Sequence, residues 1–515
     1  MLIHRSRYPD PVIPAVAFPD FVLESAALHG AKPALVDGLT GETLTYAGLS
    51  TAVEGAAATL ARRGIAVGDY VGIMASNQPA WPVAFYAIMA LGAAAVPLNP
   101  ALTAREAAAN LSLAGAATLI SDDAAATRAG EVAAILPVAT LGLVDLAVAA
   151  TADKNHVGAA ACAVDVERPA VIAFSSGTTG RPKGVMLSHR NLVATLCQHE
   201  GIYHVGDDDR LLATLPFFHI YGISIILGYA LRHGATVVTM PRFAAARYLD
   251  LIEEHRVTWL HVAPPIVRLL ALDDTATDFS SVRHVVSGGA PLDEAVSAAA
   301  ERRIGRSIGQ GYGMTEASPG VTWVPDDSSV DCPPGSVGVL VAGTEARLVD
   351  PATSNNSPDV GELWVRGPQV MRGYLNNPTA TDTTVVEGGW LRTGDIARVD
   401  ANGVWWIVDR LKELIKYNGY QVAPAELEAV LLAHPSVEDA AVAGVADEAS
   451  GEIPKAWVVA REQLDPAALM AWVAERVAPY KKIRALEFVD VIPRSLSGKI
   501  LRRELKARPT THPGV

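Results

Sequence analysis

Five short apolar runs, 71-VGIMA-75, 170-AVIAF-174, 235-ATVVTM-240, 258-TWLHVA-263 and 282-VRHVVSGG-289, alternate with helically patterned segments through the first 330 residues. Several of them empty into glycine-rich or proline-rich turns. No other feature limits the fold as much. Strands interleaved with helices build layered α/β structure, and ligand loops then collect at the carboxyl ends of the strands. The fold class expected is therefore α/β. A chain of 515 residues has room for two to four domains and at least one large core.

The texture changes near residue 335. The runs 338-GVLVAG-343, 361-GELWVRG-367 and 403-GVWWIVD-409 are short, turn-bounded and partly alternating, which predicts a small β subdomain. Beyond Asp409 a new unit of about a hundred residues begins, a normal domain size. Its segment 424-PAELEAVLLAHP-435 opens with proline near a helix start and puts Leu427, Val430 and Leu431 on one face. Strand candidates 440-AAVAGV-445 and 455-KAWVVA-460 follow, then a helix over 468-ALMAWVAERV-477.

Composition excludes some classes. Lysine and arginine total 42 against 55 aspartates and glutamates, a net charge of −13, which argues against non-specific nucleic-acid binding. Any anionic ligand must be met by a few placed cations. Cys162, Cys197 and Cys332 lie far apart without metal-ligand spacing, and the N-terminal MLIHRSRYPDPVIP lacks the apolar core of a signal peptide. A reducing, cytoplasmic setting is expected. The most apolar stretch, 81-WPVAFYAIMALGAAAVPL-98, approaches membrane-span length, but Gly92, Pro97 and its β-like end predict a buried helix running into a strand. No integral membrane segment is expected. The tail ARPTTHPGV does not end in a peroxisomal Ser-Lys-Leu.

The stretch 174-FSSGTTGRPKGVMLSHRN-191 crowds serines, threonines and glycines beside Lys183, directly after an apolar strand candidate. Hydroxyls and uncovered backbone N–H groups donate to phosphate oxygens, and glycine lets the chain come close. By itself such a stretch is equally consistent with a polar surface loop. It is not a P-loop, because Lys183 lies between Pro182 and Gly184. Further motifs follow in order: 215-LPFFHIYG-222, 287-SGGAPL-292, 309-GQGYGMTEAS-318, 390-WLRTGD-395, 409-DRLKELIKYNGYQVAPAELE-428 and 493-PRSLSGKILRREL-505.

Together these resemble the adenylate-forming superfamily of acyl-CoA synthetases, luciferases and non-ribosomal adenylation domains, from roughly residue 20 to 506. Within it the chain looks most like the 4-coumarate–CoA ligase group. The resemblance implies a large N-terminal domain, residues 1–411, of layered α/β subdomains plus a small β subdomain. A small, mobile α+β C-terminal domain, residues 412–515, would follow. It also implies an ATP-dependent carboxylic acid–CoA ligase, with acid, ATP and coenzyme A as small-molecule partners and Mg²⁺ as cofactor. A carboxylate would attack the α-phosphate of ATP, pyrophosphate would leave, and a thiol would then displace AMP. Such chemistry needs positioning and charge neutralisation above all.

Carried over by motif, Ser175, Ser176, Gly177, Thr178, Thr179 and Lys183 would hold the β- and γ-phosphates. Gly289, Ala290 and Pro291, with Gln310, Gly311, Tyr312 and Gly313, would form the adenine slot. Thr315 would touch the α-phosphate and Glu316 would bind Mg²⁺, a hard cation that favours oxygen. Asp395 and Arg410 would meet the ribose. Lys499 would reach in from the C-terminal domain to stabilise the adenylation transition state. Lys412 would be the hinge about which that domain swings. Lys416 and Gln421 would lie near the adenylate, and Arg242 and Gly419 would face coenzyme A. Asn418 stands where the group commonly has lysine, and so cannot supply that charge.

Tyr221 and His219 would form the wall and mouth of the acyl pocket, joined by Ile225, Val286, Gly313, Pro319 and Gly320. Val286 replaces a frequent lysine, Ile225 a polar neighbour and Gly320 a larger apolar residue. A roomier, less polar pocket is expected, favouring unsubstituted cinnamate-like or medium-to-long aliphatic acids over 4-hydroxylated ones. Other outcomes stay open: acyl transfer to a carrier protein in trans, a luciferase-like oxygenase, or a non-catalytic nucleotide-binding relative. The family includes monomers and homodimers, and no heptad pattern decides between them.

Overall fold

The computed structural model describes residues 2–152, 164–175, 182–273, 275–418, 420–447, 450–495 and 498–508. Each of the five apolar runs forms a strand: Tyr70–Met74, Pro169–Ser175, Thr236–Thr239, Trp259–Val262 and His284–Ser287. They divide between two sheets. A seven-stranded sheet runs Gly373–Tyr374, Lys183–Ser188, Pro169–Ser175, Ala94–Leu98, Tyr70–Met74, Thr118–Ser121, Ala139–Gly142. A nine-stranded sheet has a parallel centre in the order Ile308–Gly313, His284–Ser287, Trp259–Val262, Arg210–Ala213, Thr236–Thr239, Pro33–Asp37. Parallel strands are covered on both faces and so read as continuous apolar runs. Alternation still sorts their side chains. Leu260, Val262 and Val285 join one core with Tyr248, while Trp259 and Val286 join another with Tyr221 and Trp323. The second face is the one that borders the candidate site.

The near-membrane-length stretch resolves as expected, into the helix Ala80–Ala90 and the strand Ala94–Leu98. Trp81 through Met89 are all buried, so the helix is apolar on every side because it has no solvent face. Among the described residues no helix is long and apolar enough to cross a membrane.

Two of the three runs assigned to a small β subdomain belong to a six-stranded sheet, as Val360–Arg366 and Trp405–Arg410. The third does not. Val339–Leu340 pairs with Gly320–Trp323 and extends the nine-stranded sheet. The reason is local: Gly338 takes φ +81°, and a Cβ there would collide with the Trp323 backbone. Only glycine lets the two chains approach so closely. Gly338→Ala is accordingly expected to destabilise the protein by about 1–3 kcal/mol, read as an earlier midpoint in denaturant unfolding.

The last unit has its own core. Its five-stranded sheet contains Ile415–Tyr417, Tyr420–Val422, Val437–Asp447, Gly451–Ala460 and Ala485–Phe488. Helices Pro424–Leu432 and Pro466–Ala474 bury Leu427, Leu431, Leu469 and Val473 against Ile415, Val442 and Val458. Asn418 gains a physical explanation here. Tyr417 pairs with Tyr420 across a hairpin, and Asn418, which follows Tyr417, has φ +47°. Asn-Gly is the preferred chemistry for such turns. Contacts tie this unit to the rest: Arg268 pairs with Glu438 at 3.7 Å, and the Ala425 N–H donates to Asp409 Oδ2 at 3.2 Å. The Gly498 backbone lies on Pro265, whose Cδ would be 2.8 Å from an added Cβ.

Candidate active site

Three polar groups carried by strands of two different sheets meet at one place. The Tyr312 hydroxyl donates to Asp395 Oδ2 at 2.6 Å, and Arg410 Nε lies 3.3 Å from Asp395 Oδ1. Asp395 and Arg410 are register partners on the antiparallel strands Trp390–Val399 and Trp405–Arg410, which fixes their pairing. Asp395 is buried. Burial pushes its pKa up, while Arg410 and the Tyr312 hydroxyl pull it back toward the charged form. Around this group, Gly289 and Pro291 are exposed and Ala290 half-buried in the turn after His284–Ser287. Gln310 and Gly311 are half-buried, and Gly313 is exposed at the end of its strand. A Cβ on Gly311 would press on the Trp323 ring at 2.8 Å.

Lys499 comes from the far end of the chain. Its backbone N–H bonds Ser495 Oγ at 3.1 Å, holding a tight loop. Lys499 is exposed yet crowded by protein, and that crowding lowers its pKa from the usual lysine value. Arg410 lowers it further, and Asp395, Glu316 and Glu413 oppose the shift. His219 feels the same lysine. Burial first, then Lys499, bring its pKa down to about 4, so the imidazole is neutral at physiological pH. Its Nδ1 accepts the Tyr221 N–H at 3.2 Å, which leaves Nε2–H as a donor.

Glu316 is buried in the turn Thr315–Ala317, and Thr315 beside it is half-buried. Its Oε1 accepts from the Ser175 hydroxyl at 3.2 Å and from the Tyr374 hydroxyl at 2.9 Å. Among the described residues both donors use one oxygen, which leaves Oε2 for other partners. Lys183 Nζ stands 4.5 Å above the Tyr374 ring, a cation–π distance. Ser175 and Lys183 oppose each other across an antiparallel pair. Ser176, Gly177, Thr178 and Thr179, which follow Ser175, lie outside the described residues, as does Gly419. Among the described residues no three His, Cys, Asp or Glu side chains cluster as a metal cage. A lone carboxylate does fit a Mg²⁺ that keeps its waters and is carried by nucleotide phosphates.

The remaining candidates are more dispersed. Lys416 is exposed, its backbone N–H bonded to Glu452 Oε2 at 2.8 Å, and it opposes Gln421 in the hairpin. Lys412 is exposed just after the strand Trp405–Arg410, and Arg242 is exposed after Thr236–Thr239.

Tyr221 and Ile225 are buried, Ile225 on the π-helix Gly222–Tyr229, which is tied by Ser224 Oγ to the Ser318 carbonyl next to Pro319 at 2.8 Å. Val286 is buried beside His261, its register partner on the next strand. The roominess expected at Gly320 is absent. The His199 ring occupies the space a side chain at 320 would take, with Nε2 2.9 Å from an added Cβ. Nor is the surrounding wall purely apolar: His261 bonds the Tyr221 hydroxyl at 3.1 Å and the Tyr203 hydroxyl at 2.8 Å. Sequence reasoning passed over Tyr374, His199 and His261. His261 alone left a signal, as a lone imidazole inside the apolar run 258-TWLHVA-263.

Comparison with known proteins gives this arrangement a class. The model of the AMP-binding enzyme family matches residues 22–375, and that of the AMP-binding enzyme C-terminal domain matches residues 426–499. The chain is 41% identical to 4-coumarate–CoA ligase 5 of Oryza sativa subsp. japonica, covering 98% of this chain and 97% of that one. It is 36% identical to 4-coumarate–CoA ligase 1 of Narcissus pseudonarcissus, over 98% and 96%. ATP-bound MatB from Rhodopseudomonas palustris superimposes with a TM-score of 0.87 at 29% identity, covering 95% and 98%. The anthranilate CoA ligase AuaEII with anthranoyl-AMP superimposes with a TM-score of 0.87 at 27% identity, covering 96% and 97%. The chain belongs to the AMP-binding enzyme family. Its activity is that of an acid–CoA ligase.

Proposed function

We propose that this ligase activates a cinnamate-like aryl acid in two steps. The substrate carboxylate attacks the α-phosphorus of ATP, forming an O–P bond as the bond to pyrophosphate breaks. The coenzyme A thiol then attacks the acyl carbon of the acyl-AMP and AMP leaves. The observation that carries this reading is the Tyr312–Asp395–Arg410 cluster, with contacts of 2.6 Å and 3.3 Å, together with the loop before Lys499, whose Gly498 backbone packs on Pro265. The names of the plant relatives and of AuaEII support an aryl acid.

In this reading residues 1–411 hold the nucleotide and residues 412–515 move as a unit about Lys412. Asp395 takes the ribose hydroxyls, Tyr312 lies against adenine, and Lys183 with the hydroxyls beside it takes the outer phosphates. Thr315 bonds the α-phosphate. Glu316 would hold Mg²⁺, which would supply charge neutralisation to the phosphates. The His219 Nε2–H orients the carboxylate at the pocket mouth. Lys416, Gln421, Arg242 and Gly419 serve the adenylate and coenzyme A. A reducing, cytoplasmic setting agrees with Cys197 and Cys332 being free thiols.

The test is pyrophosphate release with Mg²⁺, ATP and a panel of aryl and alkyl acids, followed by addition of coenzyme A or a carrier protein. Aryl acids are expected to turn over, with coenzyme A as acceptor. Release with alkyl acids alone, or acceptance only by the carrier, contradicts the proposal. Tyr374→Phe gives a finer check. It removes one of the two hydrogen bonds that the described residues give the Glu316 carboxylate, worth about 1–1.5 kcal/mol, so the Mg²⁺ concentration for half-maximal rate is expected to rise roughly 5- to 10-fold. An unchanged Mg²⁺ dependence rules out that positioning role.

A further inference from the structure

Helix Pro264–Leu272 buries Ile266, Val267 and Leu270 in a core shared with Leu260 and Val285. Pro265, Arg268 and Leu272 stay outside that core, at a spacing that sets them along one outward stripe. The C-terminal unit meets this stripe at two points. The Gly498 backbone lies on Pro265, so closely that an added Cβ would stand 2.8 Å from the proline Cδ. Gly498 is buried and has φ +81°, so its setting and its backbone both call for glycine. One turn further along the helix, Arg268 pairs with Glu438 at 3.7 Å. The two prolines that open the helix make a stiff ledge, because their φ is fixed and no N–H is needed there.

The two points belong to one frame. Arg494 donates from Nη1 to the Gly498 carbonyl at 3.1 Å and from Nη2 to Asp439 Oδ1 at 2.7 Å. Asp439 follows Glu438 on the strand Val437–Asp447. The pairing register shifts between Val437 and Asp439, and such bulges re-aim side chains. Neighbouring carboxylates thereby serve different partners, Glu438 reaching Arg268 and Asp439 reaching Arg494. Lys499 comes directly after the clamped Gly498, so seating Glu438 on Arg268 also sets the loop that carries the lysine. In this seating Asp395 and Glu316 act on the Lys499 charge.

We infer that the outward stripe of helix Pro264–Leu272 is a dock that selects the adenylating orientation, with Arg268 a positioning residue that acts on Lys499 through Glu438 and Arg494. This rests on the reading that residues 412–515 swing about Lys412. The energetics suit a contact that opens in every turnover. A partly solvated pair at 3.7 Å contributes little by itself. A proline ring against a backbone adds packing without a hydrogen bond to break. The dock is strong enough to bias two orientations and weak enough to release. Once the unit swings away for the thiol step the pair is broken, so Arg268 has no part in the second half-reaction.

The experiment measures the two half-reactions separately, with the acid that the wild type turns over fastest. One assay follows acyl-AMP formation in a single turnover without coenzyme A, the other thioester formation from supplied acyl-AMP. R268E turns attraction into repulsion and is expected to slow acyl-AMP formation roughly 3- to 10-fold, leaving thioester formation within about 2-fold of wild type. E438R alone is expected to behave the same way. R268E/E438R restores an opposite-charge pair and is expected to return acyl-AMP formation to within about 2-fold of wild type. Equal slowing of both halves in R268E marks a merely structural role and overturns the inference. A double variant no faster than the single ones overturns it too. An active wild type whose R268E variant forms acyl-AMP unimpaired sinks the dock alone, whereas a wild type that forms no adenylate with any acid sinks the ligase reading itself.

Discussion

Lys499→Ala is expected to slow acyl-AMP formation by roughly 10³-fold while leaving thioester formation from supplied acyl-AMP within a few-fold of wild type. The asymmetry follows from where the charge develops. Adenylyl transfer from ATP builds negative charge on the α-phosphate oxygens, and a cation already in place at that moment is worth several kcal/mol. Displacement of AMP by a thiol has no such demand on Lys499, which the proposed swing about Lys412 would carry away. Separate assays of the two halves decide the matter, and equal loss in both contradicts the two-orientation account. A pH profile adds a second readout. Crowding lowers the Lys499 pKa, so its charged form is lost at a lower pH than for a free lysine. The alkaline limb of kcat/KM for adenylation is therefore expected below the ordinary lysine range, and to vanish in the alanine variant.

Asp395→Ala is expected to have the second-largest effect, a fall of roughly 10²- to 10³-fold in kcat/KM for ATP. Hydrogen bonds that a charged carboxylate accepts from two ribose hydroxyls are each worth about 1.5–3 kcal/mol. Asp395 also holds Tyr312 and Arg410, so some loss of folding stability will accompany the substitution. Two measurements separate the effects. Tyr312→Phe removes the 2.6 Å bond but leaves the carboxylate, and is expected to cost much less in ATP affinity. A thermal-unfolding scan of Asp395→Ala gives the structural part directly. If ATP kinetics stay unchanged while the unfolding temperature falls, Asp395 is a structural residue and the nucleotide pose is wrong.

How much of this was legible in the sequence depends on whether the signal was local. The strands Trp259–Val262 and His284–Ser287 were visible because two buried faces leave a continuous apolar run. The residues gathered at Asp395 and Lys499 were visible because each sits in its own short motif. Val339–Leu340 was misplaced because a strand's neighbours are not encoded in its own residues; the backbone approach at Gly338 decides them. Asn418 looked like a missing charge until the Tyr417–Tyr420 pairing showed a turn around it. Gly320 looked like open space, since nothing in Ser-Pro-Gly-Val points to an imidazole 121 residues earlier in the chain. Tyr374 was missed for the same reason, being a hydroxyl whose partner, Glu316, lies on a different element.

The most direct measurement is mass-spectrometric detection of the intermediate. Purified protein is mixed with Mg²⁺, ATP and 4-coumarate, first without and then with coenzyme A. A bound coumaroyl-AMP that persists alone and is converted to the thioester on addition of the thiol is the predicted result. Failure to form an adenylate with that acid or any other of the panel, under conditions where the protein is folded, would contradict the account at its root.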